Sequence, residues 1–182
     1  MNTTAHEQSK YEQMWARPEY RERSPGMRVV EMAHTWLKPT GTLCDYGCGT
    51  GRAAKWLADH GLEVTGFDIA ANAMLDYDGA FVQGCLWDMP EFGEFDYGFC
   101  TDVMEHLPTE HVDAAVAGIA KRTRKEVFFQ IALFECHMGD VIGEHLHLTV
   151  KPAQWWVELL GKHFTSVETQ PHAKYVLARC IK

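Results

Sequence analysis

The stretch Cys44-Asp45-Tyr46-Gly47-Cys48-Gly49-Thr50-Gly51-Arg52 sets three glycines within five residues, directly behind an apolar run. Glycine reaches backbone conformations closed to other residues and carries no Cβ, so such a stretch makes a tight turn that another group can approach closely. The run before it, TLCDY (42–46), reads as a short buried strand. The segment after it, GRAAKWLADHG (51–61), has helical spacing through Ala54, Leu57 and Ala58 and a stop at Gly61. A strand, a glycine turn and a helix in that order point to a sheet that receives a ligand at its carboxyl edge.

The remaining chain continues the alternation. EVTGFDIA (63–70), AFVQGCL (80–86), FDYGFCTDV (95–103) and KEVFFQIALF (125–134) read as further strands. TEHVDAAVAGIAKR begins a helix at Thr109, whose hydroxyl is suited to cap the first turn, and PAQWWVELLGKHF begins another behind Pro152. Of Trp155 and Trp156, one is expected in the core and the other near a pocket wall. SVETQPHAKYVLARCIK reads as two strands about a turn near Pro171-His172. The pattern predicts an α/β fold, doubly wound, with a mostly parallel seven-stranded sheet closed by an antiparallel hairpin. No internal repeat or linker divides residues 1–182, so one domain is expected.

Composition narrows the function classes. The net charge of −8 disfavours extended nucleic acid as a substrate, because backbone-tracking proteins draw their affinity from a basic face. The one dense basic cluster, Lys121 to Lys125, fits a helix carboxyl end. No apolar run approaches the roughly 20 residues that span a bilayer, which argues against a membrane protein. The polar start MNTTAHEQSK lacks a secretory core, and the expected compartment is the cytoplasm. Six cysteines without a C-x-x-C pair read as reduced thiols. Nothing in the sequence specifies an oligomeric state.

Two ligands could use the glycine turn. A G-x-G-x-x-A match at Gly49, Gly51 and Ala54 would suit a pyrophosphate, but Gly47 already occupies the strand end where that fingerprint should begin. Asp45 decides between them. A carboxylate at the end of the first strand suits a ligand presenting an ammonium and repels a nearby pyrophosphate. Asp68 ends the second strand about 20 residues later, where a carboxylate can accept hydrogen bonds from ribose hydroxyls.

Asp45-x-Gly47-x-Gly49-x-Gly51 with Asp68 resembles the class I S-adenosylmethionine-dependent methyltransferases, and residues 42 to 182 follow that family's strand order. The resemblance implies a Rossmann-like fold with S-adenosylmethionine as cofactor. It places Asp45 at the methionyl ammonium, Gly47 and Gly49 along the cofactor, and Asp68 at the ribose. Tyr46, Ile69, Leu86, Trp87, Asp88 and Thr101 complete the implied cofactor set. Family members often carry an aspartate at Cys85 that bonds the adenine amino group. Here either Asp88 substitutes or the backbone around Leu86 serves, with Trp87 packing nearby. Residues 1–40, with Tyr11, Trp15 and Tyr20, are expected to form a helical lid over a core of residues 41–182, in which 135–150 is the acceptor loop. An ordinary packing role for those aromatics is equally open.

The fourth strand ends in Thr101-Asp102-Val103-Met104-Glu105-His106-Leu107-Pro108. It lacks the Asn/Asp-Pro-Pro-Tyr and Pro-Cys signatures of base-directed DNA methyltransferases. The stretch is similar to Glu-x-x-Glu-His segments that hold a divalent cation in ubiquinone-type and small-RNA methyltransferases. Asp102, Glu105 and His106 are therefore candidate metal ligands, with imidazoles favouring the later divalent metals. A helix-capping or pocket-lining role without metal is the alternative. His106 is the first candidate for a general base, since its ordinary pKa lies near neutrality. His145 and His147 follow, and alternation with leucines suggests that they face the same side of an extended segment.

The resulting expectation is a methyltransferase acting at oxygen or nitrogen of a small or medium polar acceptor. Metal-dependent 2′-O-methylation of RNA ends is one alternative. A module that binds S-adenosylmethionine without catalysis is another, and a nicotinamide oxidoreductase is the residual one.

Overall fold

The computed structural model describes residues 3–182. Seven strands form one sheet in the order β3-β2-β1-β4-β5-β7-β6. They are β1 (Thr42–Tyr46), β2 (Glu63–Asp68), β3 (Ala80–Gln83), β4 (Phe95–Thr101), β5 (Thr123–Ala132), β6 (Ser166–Gln170) and β7 (Tyr175–Ile181). β1 to β5 pair in parallel, while β7 runs antiparallel between β5 and β6. The order reverses at β1, whose neighbours are β2 and β4, and the crevice beyond the carboxyl ends of β1 and β4 is where such sheets bind ligands.

Helices cover both faces. The helices are α1 (Thr3–Trp15), α2 (Pro18–Arg21), α3 (Val30–Leu37), α4 (Arg52–Asp59), α5 (Thr109–Arg122) and α6 (Ala153–Leu160), with a 3-10 turn at Pro25–Arg28. One face buries Val112, Val116, Ile119, Trp156 and Leu160 from α5 and α6 against Phe129 and Val127. The other buries Val30, Leu37, Ala54 and Leu57 from α3 and α4 against Phe99 and Phe128. A central sheet covered on both faces explains the near-continuous apolar runs of β4 and β5.

The expected architecture is observed, with three local differences. β3 stops at Gln83 rather than continuing to residue 86, because the chain turns back and Asp88 bridges to Cys85. The cap of α5 is Pro108, without a side-chain bond, while the Thr109 hydroxyl lies 2.8 Å from that of Thr149. Trp156 is fully buried and Trp155 packs beside it, and neither lines the cavity described below. Part of the segment 1–40 packs as a layer of the core. α3 is part of the core layer, and Trp36 packs on Phe128.

Candidate active site

At the carboxyl ends of β1 and β4 lie two adjoining spaces. The inner one, about 600 Å³, is walled by Phe67, Ile69, Leu86, Trp87, Val103 and Leu107, with Asp68 at one side. The outer one, about 1210 Å³, runs from Asp45, Gly49 and Thr101 out to Phe134, Met138 and Tyr175. They meet at Trp15, Tyr20, Gly47, Asp102 and His106.

The glycine turn is built for close approach. Gly47 has φ +75° and Gly49 φ +52°, the left-handed region that favours glycine. A Cβ on Gly47 would run into Val103, and one on Gly49 would lie 2.9 Å from the Trp15 ring. Asp45 stands behind this turn, 2% exposed, and its Oδ2 has no hydrogen-bond partner among the described residues. Burial, then the nearby Asp68 carboxylate, push its pKa up to about 8. An orphaned buried carboxylate is costly unless a cation or donor completes it. The site therefore fits a ligand that brings positive charge.

Asp68 is held differently. Its Oδ2 accepts the Gly49 N–H at 3.0 Å and its Oδ1 the Ala70 N–H at 2.9 Å. Burial raises its pKa to about 6 against those two bonds. Each carboxylate oxygen retains a lone pair for a ligand hydroxyl.

Beyond β4, Asp102 adopts φ +52°, a left-handed conformation unusual for a non-glycine residue. The backbone is fixed by its N–H on the Gln130 carbonyl at 2.9 Å, and the Gln130 amide donates to Asp102 Oδ2. Strain held in place by such contacts clusters at functional sites. Burial raises the pKa of Asp102 to about 6. Glu105 is fully buried; its Oε1 accepts the Ala132 N–H at 3.0 Å, and Oε2 is unpartnered among the described residues. Burial, with Asp102 nearby, pushes its carboxyl well above the usual range.

His106 and His147 face each other, ring centroids 4.6 Å apart. His147 donates from Nδ1 to the Phe134 carbonyl at 2.6 Å, which leaves its Nε2 as the acceptor. His106 Nδ1 is 2.7 Å from the Tyr11 hydroxyl. Burial and the neighbouring His147 lower the pKa of His106 well below its ordinary value, so the ring is neutral. Glu105, His106 and His147 each present one donor atom within 4.8 Å of the others. A mixed carboxylate–imidazole set of this kind can hold a divalent cation.

Several sequence expectations change here. Of the candidate metal ligands, Glu105 and His106 bring their donor atoms together with His147, while Asp102 is engaged by Gln130. His145 is exposed and lines neither space, whereas His147 is half-buried and lines the outer one, so only the second of the two histidines reaches the cavity. The Tyr46 side chain lies in the core, with only its backbone near the turn, and Asp88 lines neither space. Ile69, Leu86, Trp87 and Thr101 do line the cavity. Gln130 had escaped notice, although a lone polar residue inside the apolar run VFFQIALF is a signal. Glu7, Arg23 and Arg28 also line the cavity and had no readable pattern.

A family model described as a methyltransferase domain matches residues 17–169. The chain is 32% identical over 101 residues to the chloroplastic magnesium protoporphyrin IX methyltransferase of Arabidopsis thaliana, covering 50% of this chain and 32% of that protein. It is 26% identical over 125 residues to the ubiquinone biosynthesis O-methyltransferase of Aromatoleum aromaticum, covering 60% and 53%. The chain thus spans about a third to a half of the length of the curated relatives it matches. In fold it is similar to the Burkholderia thailandensis 1,6-didemethyltoxoflavin-N1-methyltransferase, solved with its substrate and S-adenosylhomocysteine. The TM-score is 0.73 at 16% identity, covering 98% of this chain and 88% of that one. No helix among the described residues is long and apolar enough to cross a membrane.

Proposed function

The chain belongs to the methyltransferase domain family, and on that premise we propose that it moves a methyl group from S-adenosylmethionine to an oxygen or nitrogen of a small or medium polar acceptor. The observation that carries this reading is Asp45, a buried carboxylate with an unpartnered oxygen facing a cavity lined by left-handed glycines. The methionyl ammonium would complete it. Asp68 would take the ribose hydroxyls, and the apolar walls at Phe67, Ile69, Leu86 and Leu107 would take the adenine.

The cofactor supplies an electrophilic methyl on a sulfonium. The protein's part is alignment, exclusion of water and, for a protonated nucleophile, removal of a proton. His106 stands where the two spaces meet, neutral and able to accept a proton. His147 would assist from the acceptor side, its Nε2 free of the Phe134 bond. The outer space, with Phe134, Met138 and Tyr175, would receive the acceptor.

A second reading adds a divalent cation at Glu105, His106 and His147, which would orient and polarise an acceptor oxygen. The observation favouring it is the mixed donor set with an unpartnered Glu105 Oε2. Its RNA-end form is opposed by the net charge of −8.

The test is incubation of the protein with methyl-labelled S-adenosylmethionine and cell extract, with and without chelator, followed by separation into protein, nucleic-acid and small-molecule fractions. Label in the small-molecule fraction is expected. Its loss on chelation would establish the cation, and tight cofactor binding with no label anywhere would replace the enzyme by a binding module.

A further inference from the structure

Helix α1 lies along the cavity with one face turned in: Thr4, Glu7, Tyr11 and Trp15, spaced by three and four residues. Each meets a different part of the site. The Thr4 hydroxyl is 4.0 Å from Cys85 Sγ, at the turn after β3. Glu7 and Tyr11 line the inner space, and Trp15 packs over Gly49. From Thr4 to Trp15 the helix advances roughly 16 Å, enough to follow an extended nucleoside-amino-acid ligand from its base to its methionyl end.

At the base end the inner space is a flat apolar slot that needs one hydrogen-bond acceptor for the exocyclic amine of adenine. The turn after β3 does not provide a side chain for it. Cys85 offers only a weakly accepting sulfur. Asp88 is turned away, its N–H on the Cys85 carbonyl at 3.2 Å, and it lines neither space. Asp68 takes the ribose hydroxyls on the reading above, and Asp102 stands where the inner and outer spaces meet. Among the carboxylates lining the inner space, that leaves Glu7.

Glu7 is also fixed. Its side chain is 6% exposed, and Lys10 Nζ, 1% exposed, lies 2.5 Å from Oε2. The same ammonium donates to the His145 carbonyl at 3.3 Å. A buried ion pair with a further hydrogen bond holds its members in one geometry. One turn from the Thr4–Cys85 contact, this geometry sets the carboxylate at the base end of the cavity.

We infer that Glu7 accepts the hydrogen bond from the adenine amino group of the bound cofactor, so that recognition of the base is carried by the N-terminal helix and not by the sheet. This rests on the reading of the cavity as an S-adenosylmethionine site.

The experiment compares S-adenosylhomocysteine with S-inosylhomocysteine, which presents a carbonyl oxygen in place of the amine. Affinities are measured by calorimetry on the full chain, on Glu7→Gln and on Asn72→Ala. The wild-type protein should prefer the adenosyl ligand by about tenfold or more, as expected for a charge-assisted hydrogen bond. Glu7→Gln should lower that preference by about tenfold, because a glutamine amide can donate to the inosine oxygen as well as accept from the amine. Asn72→Ala, which removes the exposed bond from Asn72 to the Glu12 carbonyl and so loosens the helix while keeping the Glu7–Lys10 pair, should leave the preference within about threefold of wild type even if both affinities fall. An unchanged preference in Glu7→Gln, an equal loss in Asn72→Ala, or no wild-type preference overturns the assignment alone. A wild-type protein that binds neither ligand overturns the cofactor reading and the assignment with it.

Discussion

The Tyr11 hydroxyl lies 2.7 Å from Nδ1 of His106, across 95 positions of sequence. A residue of the N-terminal helix thereby holds the imidazole that stands between the two halves of the cavity. Their rings also meet edge to face, with centroids 5.7 Å apart.

Replacing His106 by alanine should lower turnover by about tenfold or more while leaving S-adenosylhomocysteine affinity nearly unchanged, in line with the usual contribution of a general base. Tyr11→Phe keeps the ring contact and removes only the hydrogen bond, so its loss should be smaller. Rates come from label transfer to the acceptor fraction, and affinity from titration. Undiminished turnover in His106→Ala would remove the imidazole from the mechanism.

Asp45 carries a pH signature. In the ligand-free fold its pKa is about 8, whereas an unfolded aspartate loses its proton near 3.9. Between those values the folded protein holds a proton that the unfolded chain has released, so stability falls as pH rises. Asp68 and Asp102, raised to about 6, act in the same sense over a narrower window. Asp45→Asn should therefore melt at a higher temperature than wild type near pH 8 and bind S-adenosylhomocysteine at least about tenfold more weakly, having lost a charged hydrogen bond. Melting curves between about pH 6.5 and 8, compared between Asp45→Asn and wild type, isolate Asp45, because the other titratable groups are common to both proteins. A variant with the wild-type pH slope would contradict the buried proton.

Gly49→Ala tests the turn. A Cβ at φ +52° is strained, and it would also displace the Trp15 ring, which lies 2.9 Å from its place. The cost should be about 1–3 kcal/mol of stability. A weaker S-adenosylhomocysteine complex should accompany it, because Trp15 walls both spaces. Calorimetric melting and ligand titration read the two effects separately.

His145 and His147 should separate cleanly. His145→Ala removes an exposed side chain while its carbonyl still accepts from Lys10, and activity should stay near wild type. His147→Ala removes the ring facing His106 and the bond to the Phe134 carbonyl, and turnover should fall by about tenfold. Equal effects from the two substitutions would show that the segment carrying both histidines adopts another arrangement during turnover.

Much of the sheet could be read from the chain because its signals are local. β1 begins and ends where the apolar run TLCDY does, and the glycines that follow have positive φ. What could not be read depends on tertiary direction. Periodicity assigns faces only within regular elements, so in this irregular segment it could not tell that His147 reaches the cavity and His145 does not. Asp88 and Tyr46 sit beside cavity residues in sequence yet point elsewhere, one because β3 ends early and the other because its ring fills the core. Glu7 lies on a helix whose sequence, TTAHEQSKYEQMW, shows no strong apolar stripe, and only the docked helix reveals which side is turned inward.

That docking has a kinetic meaning. Met14 is the one fully buried apolar side chain of α1, Tyr11 and Trp15 are half-buried, and the rest of its fastening is polar, as in the bonds from Lys10 to the His145 carbonyl and from Asn72 to the Glu12 carbonyl. An element tied down with so little apolar burial opens far more often than the sheet beneath it unfolds. On the reading of the cavity as the cofactor site, spent cofactor behind such a helix would leave only as often as the helix opens, and the pace of exchange would be decoupled from the melting temperature of the domain.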